Sequence, residues 1–136
     1  MRTNRRKVHI EWGDCDPAGI VYFPRFFEFF DASTAALFEA GGLPKPEMLK
    51  KYGIVGIPLV DARAQFLAPA TFGETIEIES KIAEWGNTSF SVEHKLYHGG
   101  KLAAEGFEKR VWAAKDAASG KLKGKPIPAE VKERLK

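Results

Sequence analysis

The chain has 136 residues and a mass of 15.1 kDa, the size of one domain, so residues 1–136 are expected to fold as a single unit. Its 44% hydrophobic and 29% charged residues exclude disorder, and no apolar run nears the ~20 residues of a membrane span or follows the basic start as a signal peptide would. The net charge of +3 gathers at the two ends, Arg2 to Lys7 and Lys115 to Lys136. Without a nucleic-acid-binding motif between them, this suggests solvated basic tails, or at most attraction for a polyphosphate ligand.

Lys7 to Trp12 alternates and predicts a first strand. Gly13 to Gly19 holds two Gly, one Pro and two Asp, and predicts an exposed loop. Pro24 suits the first turn of a helix, where its missing N–H costs nothing. Phe26, Phe27, Phe30, Leu37 and Phe38 follow at helical spacing, so a helix from Pro24 to Ala40, about 25 Å long, is expected to end at Gly41-Gly42. Period-two patterns then mark strands over Val60–Ala68, Thr75–Ile82 and Ser89–Leu96. Gly99-Gly100 predicts a hairpin turn into a last strand, Leu102–Ala114, before a loop at Ser119-Gly120 and a short helix over Pro128–Leu135. Short turns force antiparallel neighbours, so one long helix against one antiparallel sheet is expected, a two-layer α+β domain. A sheet wrapped around one long central helix resembles the hotdog fold.

Asp14 and Asp16 lie in the Gly/Pro loop just ahead of the long helix. A helix start offers unpaired N–H groups and the positive end of a dipole. Such groups bind a carbonyl oxygen and the negative charge that grows on it in acyl transfer. A nearby carboxylate can attack the carbonyl carbon or activate water. Thioester hydrolysis needs little else, because the thiolate leaves readily, and no cofactor is called for. Two carboxylates without a third ligand make a poor metal site. The single cysteine, Cys15, excludes an internal disulfide and a cysteine-based zinc site, is expected to be a small filler, and fits a reducing cytoplasmic setting. His94 shares the inward parity of Phe90 and Val92 and is expected to be a satisfied core histidine. Asp14 is expected to cap its loop.

The run Gly13-Asp-Cys-Asp-Pro-Ala-Gly-Ile-Val21, followed by aromatic residues and Pro24, resembles the active-site signature of the 4-hydroxybenzoyl-CoA thioesterase family of hotdog enzymes. The resemblance continues in Gly42-Leu-Pro44 and Gly53-Ile-Val-Gly-Ile-Pro58, and more loosely in Glu84-Trp85 and Ser89-Phe90. It implies that Asp16 is the catalytic carboxylate, as nucleophile or general base, and that the backbone N–H of Phe23 polarises the thioester carbonyl. Tyr22 and Phe27 are implied as substrate contacts. Asp31 is implied to look toward a polar ring substituent, against the alternative of a helix Asp paired with Arg25 or Lys51. It also implies a homotetramer, a dimer of dimers with sites at subunit interfaces, and an acyl-CoA substrate held partly by the neighbouring chain. Where the family carries basic residues, this chain has Gly86-Asn87-Thr88, so phosphate binding falls to Asn87, Thr88 and Ser89 or to cations elsewhere.

Three other activities compete. A hotdog hydratase would carry a His soon after Asp16, where this chain has none. A thioesterase for aliphatic acyl-CoA or acyl carrier protein would share the site and differ in its pocket. A non-catalytic acyl-CoA-binding module would not depend on Asp16 at all. No Gly-x-Ser-x-Gly elbow supports a serine hydrolase.

Overall fold

Helix α1, Phe23–Ala40, starts with Pro24 in its first turn and buries Phe26, Phe29, Phe30, Ser33, Thr34, Leu37 and Phe38. Phe29 therefore belongs to the buried stripe, and Phe27 lies on its half-buried flank. The computed structural model describes residues 2–136. The stripe packs on a five-stranded antiparallel sheet of order β1-β3-β4-β5-β2. The strands are β1 (Thr3–His9), β2 (Leu59–Phe66), β3 (Thr75–Trp85), β4 (Ser89–His98) and β5 (Lys101–Val111). The sheet over one long helix is the expected hotdog arrangement.

Strand alternation buries Ile76, Ile78, Ser80 and Ile82 of β3 and Phe90, Val92, His94 and Leu96 of β4. Phe26, Phe29 and Phe30 pack with Ile10, Ile76, Ile78 and Leu96 at one end of the core. Leu37 and Phe38 pack with Ile82, Phe90, Val92 and Trp112 at the other, where Val131 of α3 (Ala129–Arg134) and Leu135 close it. Phe30 lies over Gly106 of β5, where a Cβ would stand 2.6 Å from the ring. His94, opposite Gly106 in the β4–β5 register, stacks on Phe30 at 4.9 Å and 12°. The missing side chain at Gly106 is what admits the aromatic ring here.

Several boundaries differ from those expected. β1 begins at Thr3, and the basic start is part of the sheet rather than a solvated tail. Arg5 bridges Glu77 and Glu79 across the β1–β3 pair, and Arg6 donates to Ser33 Oγ of α1 at 2.7 Å. Trp12 leaves the strand and opens a 3-10 turn, Trp12–Asp14. A second helix, α2 (Lys45–Tyr52), has only Met48 buried, so it shows no apolar periodicity to read. The last strand breaks at the buried Trp112, whose N–H donates to Thr88 O at 2.8 Å. Beyond it, β6 (Ala113–Lys115) and β7 (Leu122–Gly124) form a separate hairpin. β2 alternates in sequence yet stays largely exposed, with Val60 60% accessible: among the described residues it pairs only with β5, and along it only Asp61 and Ala64 are half-buried.

Candidate active site

The loop between β1 and α1 is held by its own backbone. Asp14 Oδ2 accepts from the Glu11 N–H at 3.0 Å, so Asp14, the third residue of the 3-10 turn, satisfies the backbone of the cap residue Glu11. Cys15 and Val21 then pair across the loop. The Asp16 N–H donates to Ile20 O at 3.0 Å, and the Gly19 N–H donates to Asp16 O at 2.9 Å. Asp16 Oδ1 accepts from the Ala18 N–H at 2.8 Å. Its Oδ2 has no protein partner among the described residues, and the side chain is half-buried. Two bonds of 2.9 Å, Tyr22 N–H to Asp14 O and Phe72 N–H to Gly19 O, clamp the loop to α1 and to the approach of β3.

Immediately after this loop, α1 begins with unspent donors. Pro24 has no N–H, and that of Arg25 is taken by Tyr22 O at 2.8 Å. The Phe23 N–H meets no acceptor among the described residues and lies at the positive end of the helix dipole. Tyr22 and Phe23 are exposed, with ring centroids 5.6 Å apart. Beside them runs an open groove of about 360 Å³ walled by Ile20, Val21, Phe23, Phe26, Phe66 and Ala70. An apolar groove walled in part by Phe23, whose amide is free, suits a thioester whose carbonyl must be polarised while water is partly kept out. Cys15 is half-buried, and desolvation, with the carboxylates of Asp14 and Asp16, pushes its thiol up, which disfavours a thiolate nucleophile.

Asp31 follows Phe23 and Phe27 at intervals of four along one flank of α1. Its partner is neither Arg25, which pairs with Glu28 at 2.7 Å, nor Lys51, which pairs with Glu130 at 3.2 Å. Asp31 Oδ1 instead accepts from Arg110 Nη2 at 2.8 Å; the Asp31 side chain is 60% exposed and that of Arg110 only 5%. Behind Arg110 lies a polar network in the core. Arg110 Nε and Nη2 donate to Glu108 Oε1 and Oε2 at 3.1 and 3.0 Å, and Nη1 donates to Ile57 O at 2.9 Å. Glu108 also accepts from Thr34 Oγ1 and lies 3.3 Å from His94 Nε2, while His94 Nδ1 meets Ser80 Oγ at 2.7 Å. Burial works against the charge on Glu108, but the hydrogen bonds from His94 and Arg110 outweigh it and hold the carboxyl at about 2. Glu108 and Arg110 escape a reading by residue type. Their parity would have revealed them, because both are in phase with Ala104 and Gly106 on the helix-facing side of β5.

Asn87, Thr88 and Ser89 lie elsewhere. The Asp16 loop sits at the start of β3, where Ile10 N–H donates to Glu74 O at 2.8 Å. The turn after Trp85 lies at the far end of that 11-residue strand, roughly 30 Å away at the usual rise of a strand. There Asn87 O accepts from the Ile127 N–H at 2.8 Å, Thr88 packs against Gly124, and the Gly86 N–H donates to Ser89 O at 2.7 Å. One chain thus sets Asp16 in the loop that leads into Tyr22 and Phe23, continues along α1 through Phe27 to Asp31, and holds Asn87–Ser89 apart. Among the described residues, no three His, Cys, Asp or Glu side chains gather as a metal would require, and no helix is long and apolar enough to cross a membrane.

The profile of the thioesterase-like superfamily matches residues 10–135. The chain is 37% identical to the 4-hydroxybenzoyl-CoA thioesterase of Pseudomonas sp. strain CBS-3, over 95% of this chain and 94% of that protein. It is 30% identical to the 1,4-dihydroxy-2-naphthoyl-CoA hydrolase of Synechococcus elongatus, over 65% of each. Among solved structures, a mutant 4-hydroxybenzoyl-CoA thioesterase complexed with 4-hydroxybenzoyl-CoA superimposes with a TM-score of 0.91, at 33% identity and with 100% of both chains covered. A gentisyl-coenzyme A thioesterase superimposes with a TM-score of 0.83, at 32% identity, covering 97% of this chain and 98% of that one.

Proposed function

The chain belongs to the thioesterase-like superfamily and is an acyl-CoA thioesterase, and on that footing we propose that it hydrolyses a hydroxybenzoyl-type CoA thioester to the free aromatic acid and CoA. The observation that carries this reading is the placement of a half-buried carboxylate, Asp16, in a backbone-clamped loop directly ahead of the unpaired N–H of Phe23. In this reading, the thioester carbonyl oxygen accepts from the Phe23 N–H, and the helix dipole stabilises the charge that develops on it. Asp16 acts on the carbon in one of two ways. As a general base it takes a proton from water, whose oxygen attacks the carbon as the C–S bond breaks. As a nucleophile it forms a mixed anhydride with loss of CoA thiolate, and water then cleaves the anhydride.

Tyr22 and Phe27 flank the acyl group, and Asp31 accepts a hydrogen bond from a ring hydroxyl. The comparisons support this choice of acyl group, because the relatives with hydroxybenzoyl, gentisyl and dihydroxynaphthoyl in their names all bear hydroxyls on an aromatic ring. The apolar groove beside Phe23 favours the second reading, an aliphatic acyl group.

The residues act as one domain, 1–136, in a homotetramer built from dimers. The edge of β2, unpaired among the described residues and with Leu59, Val60 and Phe66 exposed, supports this assembly, as does the separation of Asn87, Thr88 and Ser89 from Asp16 in one chain. A neighbouring chain would bring that turn to the CoA phosphates.

The experiment is a thiol-release panel of 4-hydroxybenzoyl-, benzoyl- and long-chain acyl-CoA, with crotonyl-CoA to detect hydration. The expected order puts 4-hydroxybenzoyl-CoA first. Preference for the long chain would assign the aliphatic reading, and loss of enoyl absorbance without thiol release would overturn hydrolysis.

A further inference from the structure

We propose that Arg110 is a positioning residue for recognition of the substrate ring: it fixes Asp31 Oδ1 and leaves Oδ2 to accept the ring hydroxyl, while Glu108 and His94 fix Arg110 from the core. This rests on the reading that Asp31 faces the ring. An aspartate on an exposed helix flank ordinarily samples several rotamers, and ordering it on binding costs affinity. Here the carboxylate is already held at 2.8 Å by a guanidinium that is itself buried and anchored three ways, by both oxygens of Glu108 and by Ile57 O. Asp31 Oδ2 has no partner among the described residues, so one acceptor is fixed and one is left over.

Stability alone does not account for the arrangement. A buried Glu–Arg pair is often no better for stability than apolar residues of the same volume. A buried pair whose outer end reaches across to an exposed carboxylate does something apolar residues could not. The carboxylate oxygen left without a partner accepts from a donor such as a phenol hydroxyl. The planar fork is essential, because a lysine ammonium cannot hold Glu108 twice, Ile57 O and Asp31 at once.

The test measures kcat and KM for 4-hydroxybenzoyl-CoA and benzoyl-CoA in Arg110→Lys, Glu108→Gln, Asp31→Asn and the Asp31→Asn/Arg110→Lys double variant. Arg110→Lys is expected to cut the preference for the hydroxylated ring by about tenfold, mostly through KM, with benzoyl-CoA turnover within a few-fold of the parent. The double variant should lose no more preference than Asp31→Asn alone, because Arg110 acts through Asp31. A merely structural lesion would lower both substrates alike. An unchanged preference in Arg110→Lys, beside a reduced one in Asp31→Asn, would overturn the role of Arg110 and leave Asp31 as ring reader. An unchanged preference in Asp31→Asn would overturn the ring reading itself, and the proposal with it. If Arg110→Lys fails to fold, Glu108→Gln carries the same expectation with a smaller drop, and an unchanged preference there overturns the proposal.

Discussion

Asp16 and Ala18 are joined by a 2.8 Å hydrogen bond from a backbone N–H to one carboxylate oxygen, which leaves the other oxygen without a partner among the described residues. Asp14, two residues earlier, accepts from the Glu11 N–H at 3.0 Å at the start of the 3-10 turn. In the proposed mechanism Asp14 holds that turn and Asp16 acts on the thioester. Asp14→Ala should destabilise the protein by about 1 kcal/mol, the scale of a lost cap, and keep turnover within about tenfold. Urea denaturation and a thiol-release assay on the same sample check it; an Asp14 variant as stable as the parent but as inactive as an Asp16 variant would reverse the assignment.

Gly106 and Phe30 make a prediction about packing. An added methyl at Gly106 would meet the Phe30 ring at 2.6 Å, so Gly106→Ala should cost about 1–3 kcal/mol, the range for overpacking. The smaller ring-free side chain in Phe30→Leu should recover part of that loss in the double variant. Chemical denaturation of the two single variants and the double variant measures the coupling, and strictly additive losses would rule out the contact as the cause.

The buried carboxylate of Glu108 makes a prediction about pH. Its folded value is about 2 against an ordinary 4.5, so its contribution is present in full above pH 4.5 and is lost as pH falls toward 2. The shift corresponds to about 3 kcal/mol. Glu108→Gln should be less stable near neutrality, because Arg110 loses its counter-charge, yet its stability should fall less steeply between pH 4.5 and 2. Denaturation midpoints across that interval would show it, and an unchanged slope would mean the acid sensitivity lies elsewhere.

The edge of β2 makes a prediction about assembly. Ala62→Pro with Val60→Lys should block edge pairing, since a missing N–H and an added charge both oppose strand addition. Sedimentation should give about four times 15.1 kDa for the parent and a smaller species for the variant, with KM for the CoA thioester raised well beyond tenfold. A monomeric variant of unchanged KM would show that Asn87, Thr88 and Ser89 of another chain are not needed.

The parts of the molecule legible in the sequence are those where residue type and spacing act locally. The Phe stripe required a helix, and period-two runs required strands. The Gly, Pro and Asp residues between Gly13 and Gly19 required a tight loop ahead of α1. What escaped depends on contacts remote in sequence. Arg110 meets Asp31 across 79 positions, and no local pattern reports such a pairing. The short α2 has one buried side chain and hence no periodic signal. β2 alternates correctly but remains exposed, because alternation records which face is apolar and not whether anything covers it. The basic start resembled a tail by charge, yet Arg5 and Arg6 each find a partner once β1 pairs with β3.

Turnover by Asp16→Asn with the preferred aroyl-CoA tests the central claim most directly. The amide keeps the shape of the loop and the bond from Ala18, but supplies neither a base nor a nucleophile. Thiol release should fall by about 10²-fold or more, the scale of losing a group that acts on the reacting atoms, with the fold and CoA binding retained. A rate within a few-fold of the parent would contradict the account and leave Asp16 as a structural residue of the loop.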